Sequence, residues 1–107
     1  MEIPGVPPEQ AGQDTLEVKP PAKVEIYTYR FSSDCIRAKG LLDRLGVTYN
    51  EFIIDDDPIN NLAMMKRTGG RTSVPQIFID GIAIGGYVEL QKLNSGGELA
   101  ALLRLAA

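Results

Sequence analysis

The sequence predicts an α/β fold, a three-layer sandwich in which a four-stranded mixed sheet is flanked by helices. Three observations lead to this prediction. Apolar, β-forming runs alternate with amphipathic helical patterns along the chain. A helical pattern separates the first two strand patterns, which requires a parallel pair joined by a right-handed crossover. Asp80-Gly81, between two short apolar runs, is a strong hairpin signal and adds an antiparallel strand.

Composition narrows the functional classes. The chain has 107 residues, 44% of them hydrophobic, which suits one packed domain. A net charge of −3 gives no indication of a nucleic-acid or membrane-surface partner. The absence of histidine excludes Cys–His and Ser–His catalysis and histidine metal sites. The single cysteine fits a reducing compartment, and the N-terminus lacks the pattern of a signal peptide, so we expect a cytoplasmic protein.

Residues 1–23 differ from the rest of the chain. They contain five of the seven prolines, scattered charge and no hydrophobic periodicity. Such a segment buries too little apolar surface to offset its ordering entropy, so we predict a disordered extension. Leu16-Glu17-Val18 is the one stretch that suits a short edge strand. The globular domain is expected to span residues 24–107.

Regular patterns begin at Val24. Residues 24–29 alternate as a strand, and Ser32 or Ser33 is a natural N-cap for the helix that follows. That helix ends at Gly46, and residues 48–54 form the second predicted strand. The inward-facing positions of the helix share i, i+3, i+4, i+7 spacing and are Ala38, Leu41, Leu42 and Leu45.

Asp57-Pro58 opens a second helix, with proline at the first helical position. We expect that helix to end at Gly69-Gly70 and to turn Ile59, Leu62 and Ala63 inward. Hairpin strands over 76–79 and 82–84 follow, and helices over 87–93 and 98–105 end the chain.

Several strings at matching spacing resemble the glutaredoxin branch of the thioredoxin fold, from Val24 to about Leu103. Residues 24–28 are similar to that family's first strand, and Arg37-Ala38-Lys39 to its first helix. The segment 69–80, with Arg71-Thr72-Ser73-Val74-Pro75-Gln76-Ile77-Phe78-Ile79, is similar to its R-T-x-V-P-x-I-F-I motif, and Gly85-Gly86 to the pair that opens its third helix. The resemblance implies a thioredoxin-like, glutathione-dependent thiol–disulfide oxidoreductase.

The family's active-site tetrad, Cys-Pro-Tyr-Cys or Cys-Gly-Phe-Ser, aligns with Ser32-Ser33-Asp34-Cys35. The resemblance makes the first position the attacking thiol and the second the resolving one. Only a thiolate attacks disulfides at a useful rate, so Ser32 is better explained as an N-cap. Cys35 is either a small buried hydrophobe or a slowly reacting accessible thiol. Asp34 opposes thiolate formation there, whereas Arg30 or Arg37 favours it.

The resemblance also implies a glutathione site. Val74 would pair its backbone with the cysteinyl moiety beside a cis Pro75, and the N–H groups of Gly86 and Tyr87 would hold the γ-glutamyl carboxylate. Two family contacts are altered, because Tyr29 stands where a lysine is usual and Val88 where an acidic or hydroxyl residue is usual. Arg71, with Arg67 or Lys66, is the candidate cation for the glycyl carboxylate.

Three functions are compatible with this pattern. The first is a glutathione-dependent oxidoreductase whose first active-site cysteine or selenocysteine has been replaced by Ser32, leaving it inactive. The second is a naturally non-catalytic module that binds glutathione or a protein partner. The third is a redox response by Cys35 alone. Glutathione is the expected co-substrate, with glutathionylated or disulfide substrates as partners and no metal. A monomer is expected, with a Cys35-linked dimer as the alternative.

Overall fold

The computed structural model describes residues 21–105, which fold as a three-layer α/β sandwich. The four strands order as β2-β1-β3-β4. Strand β1 is parallel to β2 and antiparallel to β3, and β3 is antiparallel to β4. The predicted mixed sheet and thioredoxin-like architecture are therefore confirmed. The elements are β1 Val24–Thr28, α1 Ser33–Arg44, β2 Asn50–Ile53, α2 Pro58–Thr68, β3 Gln76–Ile79, β4 Ile82–Gly85, α3 Tyr87–Ser95 and α4 Glu98–Leu102.

The sheet has a core on each face. On one face, β1 and β3 pack against α1, α3 and α4. On the other face, Tyr27 and Phe78 pack with Met64 of α2. Each fully buried aliphatic or aromatic side chain contributes about 1.5–3 kcal/mol to the stability of the fold. The two cores therefore fix the helices, and with them the helix N-termini, against the sheet. The buried members of the larger core include Val24, Ile26, Ala38, Leu41, Leu42, Ile77, Ile79, Leu90 and Leu99.

The predicted inward face of α2 is wrong at two positions. Ile59 is 79% exposed and Leu62 is 53% exposed. The inward stripe is instead set by Met64, which is fully buried, and by Arg67 three residues later. Because a helix turns about 100° per residue, Leu62 lies almost opposite the stripe of Met64 and Arg67, and Ile59 lies more than about 90° from its centre. Only Ala63 of the three predicted positions is partly buried and packs against the core.

Turn chemistry follows the sequence closely. Asp80 and Gly81 both have positive φ, 51° and 80°, as a two-residue type I′ hairpin requires. Gly46, with φ 73°, follows the last turn of α1, and Gly69 ends α2 in the same left-handed conformation. The final helix is shorter than predicted, ending at Leu102, and Arg104 has a φ of 55°.

The predicted extension lies mostly outside the described residues, as does the strand fragment Leu16-Glu17-Val18. Within the described part, Ala22 is buried in the larger core. Lys23 donates its backbone N–H to the Asp80 carboxylate (2.9 Å) and accepts the Asp80 N–H (2.8 Å). Packing contacts are therefore already present two residues before β1. No helix in residues 21–105 combines the length and apolar character that crossing a bilayer requires.

Candidate functional site

Sheet register brings three chain segments to one end of the molecule. Tyr27 near the end of β1 pairs with Gln76 at the start of β3, and Ile77 pairs with Gly85 at the end of β4. The N-termini of α1 and α3 and the loop before β3 therefore lie at the same end of the sheet. The loop and α3 are in close proximity, since a Cβ at Gly86 would lie 3.3 Å from the Pro75 carbonyl oxygen.

Ser32 is the N-cap of α1, as the sequence predicts. Its backbone is extended (φ −112°, ψ 125°), and its hydroxyl oxygen accepts the Cys35 N–H at 3.3 Å. Its carbonyl accepts the Ile36 N–H at 3.0 Å, the first intrahelical bond. The hydroxyl therefore satisfies one of the free amides at the helix N-terminus.

Cys35 is fully buried, with 0% of its surface exposed. It lies on the same face of α1 as Ala38 and Leu42, three and seven residues later, which are both core residues. This position matches the expected behaviour of a small buried hydrophobe. Burial opposes both the accessible-thiol alternative and a dimer linked through Cys35, because either needs the sulfur to reach solvent.

The charged neighbours of the tetrad are paired with one another. The Arg37 guanidinium contacts the Asp34 carboxylate at 3.1 Å, one turn along α1. Arg30 lies 3.8 Å from the Asp56 carboxylate, and its backbone N–H donates to Asp55. Arg30, Asp34 and Arg37 are about half exposed and Asp56 is almost fully exposed, so each pair is weak. The negative charge of Asp34 is nevertheless offset locally, which reduces its opposition to an anion at the helix N-terminus.

A cluster of three polar side chains, Thr28, Lys39 and Glu51, links α1 to the sheet. No pattern in the sequence predicted this cluster. One carboxylate oxygen of Glu51 accepts both the buried Thr28 hydroxyl and the Lys39 ammonium, each at 2.7 Å. Burial raises the pKa of Glu51, but the hydrogen bonds from Lys39 and Thr28 outweigh it and hold the pKa below its usual value. The hydrogen bond to Glu51 likewise raises the pKa of Lys39. This group ties α1 to β1 and β2.

Arg67 is engaged elsewhere and does not serve as the alternative cation for a ligand. Its guanidinium donates to both carboxylate oxygens of Glu25 (2.9 and 3.2 Å) and to the Tyr27 hydroxyl (3.0 Å). It also stacks 3.9 Å from the Phe78 ring centroid. The hydrogen bond from Arg67 lowers the pKa of Glu25. Of the predicted cations, Lys66 and Arg71 remain exposed.

The loop and α3 carry the other predicted ligand contacts. The Val74–Pro75 peptide bond is cis, as expected, and Val74 is half-buried. Tyr29 (42% exposed) and Val88 (55% exposed) both present apolar surface to solvent. The N–H of Gly86 is not free, because it donates to the Glu89 carboxylate at 2.7 Å. The sequence prediction placed a ligand carboxylate at that N–H and did not foresee this bond.

Within residues 21–105, neither a cavity nor a cluster of metal-binding side chains marks the candidate site. Two cavities, of about 120 and 220 Å³, are lined by residues near the start of β1 and the end of the chain, such as Ala22, Thr48 and Leu103. The candidate site is instead the region at one end of the sheet where the N-termini of α1 and α3 and the Pro75 loop come together. No group of three or more Cys, Asp or Glu side chains suited to a metal ion occurs between residues 21 and 105.

Comparison with known proteins identifies the family. The Glutaredoxin family model matches residues 24–84. Glutaredoxin 3 of Escherichia coli strain K12 is 47% identical over 83 residues, covering 78% of this chain and 99% of that protein. This chain belongs to the glutaredoxin family. A probable glutaredoxin of Synechocystis is 45% identical over 82 residues, covering 77% of this chain and 93% of that protein.

Solved glutaredoxin structures share the fold. The solution structure of glutaredoxin from Brucella melitensis has a TM-score of 0.67 and 38% identity, covering 78% of this chain and 89% of that chain. The crystal structure of a buckwheat glutaredoxin–glutathione complex has a TM-score of 0.70 and 27% identity, covering 78% and 77%. The family match supports a thiol–disulfide oxidoreductase scaffold for this glutaredoxin-family chain.

Proposed function

We propose that this glutaredoxin-family chain binds glutathione weakly but does not reduce disulfides, because Ser32 stands at the nucleophile position. The carrying observation is the N-cap hydrogen bond between the Ser32 hydroxyl and the Cys35 amide, which gives Ser32 a structural role. A serine hydroxyl is far too weakly acidic to attack a disulfide without a base, and the chain has no histidine. Cys35, the only thiol, is fully buried.

The proposed glutathione groove lies between the Pro75 loop and α3. Val74 supplies backbone groups to the cysteinyl moiety, and the N–H groups of Tyr87 and Val88 face the γ-glutamyl carboxylate. Arg71, exposed beside this groove, supplies the cation for the glycyl carboxylate. Tyr29 and Val88 offer no charge to the ligand, so binding is expected to be weak. The buckwheat relative's complex with glutathione supports the assignment by analogy.

Two histories fit this proposal. In one, Ser32 replaces a cysteine or selenocysteine of a working glutathione-dependent oxidoreductase. The cis Pro75 loop, the Gly85-Gly86 turn and the α1 N-terminus, all in the form the family resemblance implies, favour this interpretation. In the other, the chain is a natural binding module for glutathione or a protein partner. The apolar, exposed Tyr29 and Val88 favour that second candidate. In both, we expect a cytoplasmic protein without a metal cofactor.

A turnover assay tests the proposed absence of disulfide reductase activity. The assay follows NADPH loss with a small mixed disulfide, glutathione and glutathione reductase. We expect a rate no higher than the uncatalysed reaction. Robust turnover that disappears in Cys35→Ser would overturn the proposal, because it would make Cys35 the nucleophile.

A chemical-shift titration tests the proposed binding of glutathione. We expect millimolar reduced glutathione to shift the backbone resonances of Val74, Tyr87 and Val88 in ¹⁵N-labelled protein. The resonances of Thr48 and Leu103, at the opposite end of the molecule, serve as the internal control. An unchanged spectrum at those three positions would remove glutathione as the ligand.

A further inference from the structure

The loop that contains the cis Val74–Pro75 bond is held by side chains rather than by its own backbone. Within residues 21–105, the backbone of residues 71–75 forms no hydrogen bond to another backbone group. Its hydrogen bonds go to two side chains, one at each end of the loop. The conformation of the loop therefore depends on these two side chains and on the packing of Val74 and the buried Pro75.

Thr68, in the last turn of α2, holds the start of the loop. Its hydroxyl donates to the Met64 carbonyl (2.8 Å) and accepts the Arg71 N–H (3.0 Å). Between Thr68 and Arg71 the backbone turns through Gly69 and Gly70, which have φ values of 73° and 102°. One hydroxyl thus ties the first residue of the loop to a helix that packs on the sheet.

Gln76, the first residue of β3, holds the other end. Its side chain is 1% exposed. The carboxamide NH₂ donates to the Ser73 carbonyl at 2.9 Å and to the Ser73 hydroxyl at 3.1 Å. The backbone of Gln76 is itself fixed, because this residue pairs with Tyr27 of β1. The strand therefore holds Ser73, the residue directly before Val74, through a buried side chain.

A glutamine at this position is not explained by packing. Tyr27, which lies opposite Gln76, and Phe78, two residues later on the same face of β3, belong to the smaller apolar core with Met64. Burying a carboxamide among such side chains costs free energy unless hydrogen bonds compensate. An apolar side chain would avoid that cost. What glutamine adds is the pair of hydrogen bonds to Ser73.

We infer that Gln76 is a positioning residue of the proposed glutathione groove, which holds Ser73 so that the backbone of Val74 stays in the conformation that pairs with the ligand. This inference rests on the proposed function and adds the residue that fixes the loop. Without the two hydrogen bonds the loop samples other conformations. The affinity for glutathione then falls in proportion to the fraction of molecules in the binding conformation.

The first test is Gln76→Met, which removes both donors but keeps a long, unbranched side chain. We expect reduced glutathione to bind about three- to tenfold more weakly. In the ligand-free variant, the amide resonances of Ser73 and Val74 should shift or broaden. Ile79→Val is the matched control, because it trims a buried side chain at the other end of β3. It should change neither the affinity nor those resonances. A ¹⁵N chemical-shift titration measures both variants and the unsubstituted protein.

A double-mutant cycle tests the contact directly. Ser73→Ala removes one of the two acceptors, and Ser73 is exposed, so the fold is not at risk. We expect Ser73→Ala to weaken glutathione binding about twofold when Gln76 is present and to have no effect in the Gln76→Met background. This coupling would not arise if Gln76 only stabilised the core. Slow exchange of the Gln76 side-chain NH₂ protons with solvent is an independent check of the same hydrogen bonds.

The outcomes separate the two proposals. Equal glutathione affinity of Gln76→Met and the unsubstituted protein overturns this inference and leaves the proposed function standing. Unchanged Ser73 and Val74 resonances in ligand-free Gln76→Met also overturn it, whatever the affinity. An equal loss of affinity in Ile79→Val assigns the effect to stability and overturns it as well. Absence of glutathione binding by the unsubstituted protein overturns the proposed function and this inference with it.

Discussion

The Ser32 hydroxyl accepts the Cys35 backbone N–H at 3.3 Å, so the first and last residues of the tetrad are joined by a helix cap. The same bond fixes the orientation of the first turn of α1. Cys35 consequently directs its side chain into the core, while Ser32 stays at the half-buried helix start. Stability and chemistry at this site therefore depend on the same two residues.

Removing the cap should cost stability. We expect Ser32→Ala to lower the free energy of unfolding by about 1 kcal/mol, because the Cys35 N–H loses its acceptor. Ser33→Ala is the matched control, since Ser33 is exposed at the first helical position, and should change stability by less than about 0.5 kcal/mol. Urea unfolding measures both. Equal effects of the two substitutions would show that the Ser32 hydroxyl does not stabilise α1.

A thiol at position 32 should restore redox chemistry. We expect Ser32→Cys to catalyse reduction of a glutathione mixed disulfide: the introduced thiolate attacks the glutathionyl sulfur and the substrate thiol leaves. A second glutathione thiolate then attacks the enzyme-bound glutathionyl sulfur, so that glutathione disulfide leaves and the thiolate at position 32 is restored; if the Cys35 thiolate attacks at position 32 instead, glutathione thiolate leaves and a disulfide joins positions 32 and 35. The thiolate gains from free N–H groups at the start of α1, and Arg37 offsets the charge of Asp34.

The measurements are the pH dependence of iodoacetamide labelling, followed by turnover, in Ser32→Cys with and without Cys35→Ser. Labelling faster than a free model thiol at neutral pH is the expected result. Labelling no faster than that of a free model thiol, together with no turnover, would contradict the argument that the helix N-terminus activates the thiol. That result would favour the binding-module interpretation.

Cys35 should react only when the structure opens. Because its side chain is fully buried, we expect labelling by a thiol reagent to be slow in the native protein and complete in denaturant. The native rate should rise with low denaturant concentrations. The single exposed thiol of Ser32→Cys, Cys35→Ser provides the fast control. Rapid labelling of the folded protein without substitutions would support the redox role of Cys35 and the dimer linked through it.

Most of the fold prediction depended on short sequence patterns such as helix caps and turns. The caps at Ser32 and Asp57, the Asp80-Gly81 turn and the strand β1 each depend on residues close in sequence, and the structure confirms them, although β1 is buried on both faces. Contacts between distant residues were not predictable in this way. Arg67 appeared to be a free cation at a helix end, yet it pairs with Glu25, 42 positions earlier in the chain.

That pairing also explains the error on α2. A partly buried arginine took a place on the inward stripe, so a hydrophobic pattern alone selected Ile59 and Leu62 incorrectly. Glu89 is different, because its spacing from Gly86 is that of an N-cap and the third helical residue. That local signal was present in the sequence, although the sequence prediction placed a ligand carboxylate at the Gly86 N–H instead.

The Glu25–Arg67 pair should make stability depend on acidic pH. Arg67 lowers the folded-state pKa of Glu25, so the stabilisation is present above the unfolded pKa of about 4.3 and is lost as pH falls through the folded pKa. At about pH 7, Arg67→Met should cost about 2–4 kcal/mol, because the Glu25 side chain, 10% exposed with Arg67 in place, loses its charged partner.

The pH profile separates this charge effect from lost packing over Phe78. We expect the cost of Arg67→Met to be smaller at about pH 3.5 than at about pH 7, because at the lower pH the Glu25 carboxyl of the unfolded chain is largely protonated. Lys66→Met removes the same charge from an exposed neighbour on α2 and should cost less than about 0.5 kcal/mol at either pH. Glu25→Gln in the Arg67→Met background should recover part of the loss at neutral pH. Urea unfolding at both pH values provides the test, and a cost independent of pH would assign the effect of Arg67 to packing alone.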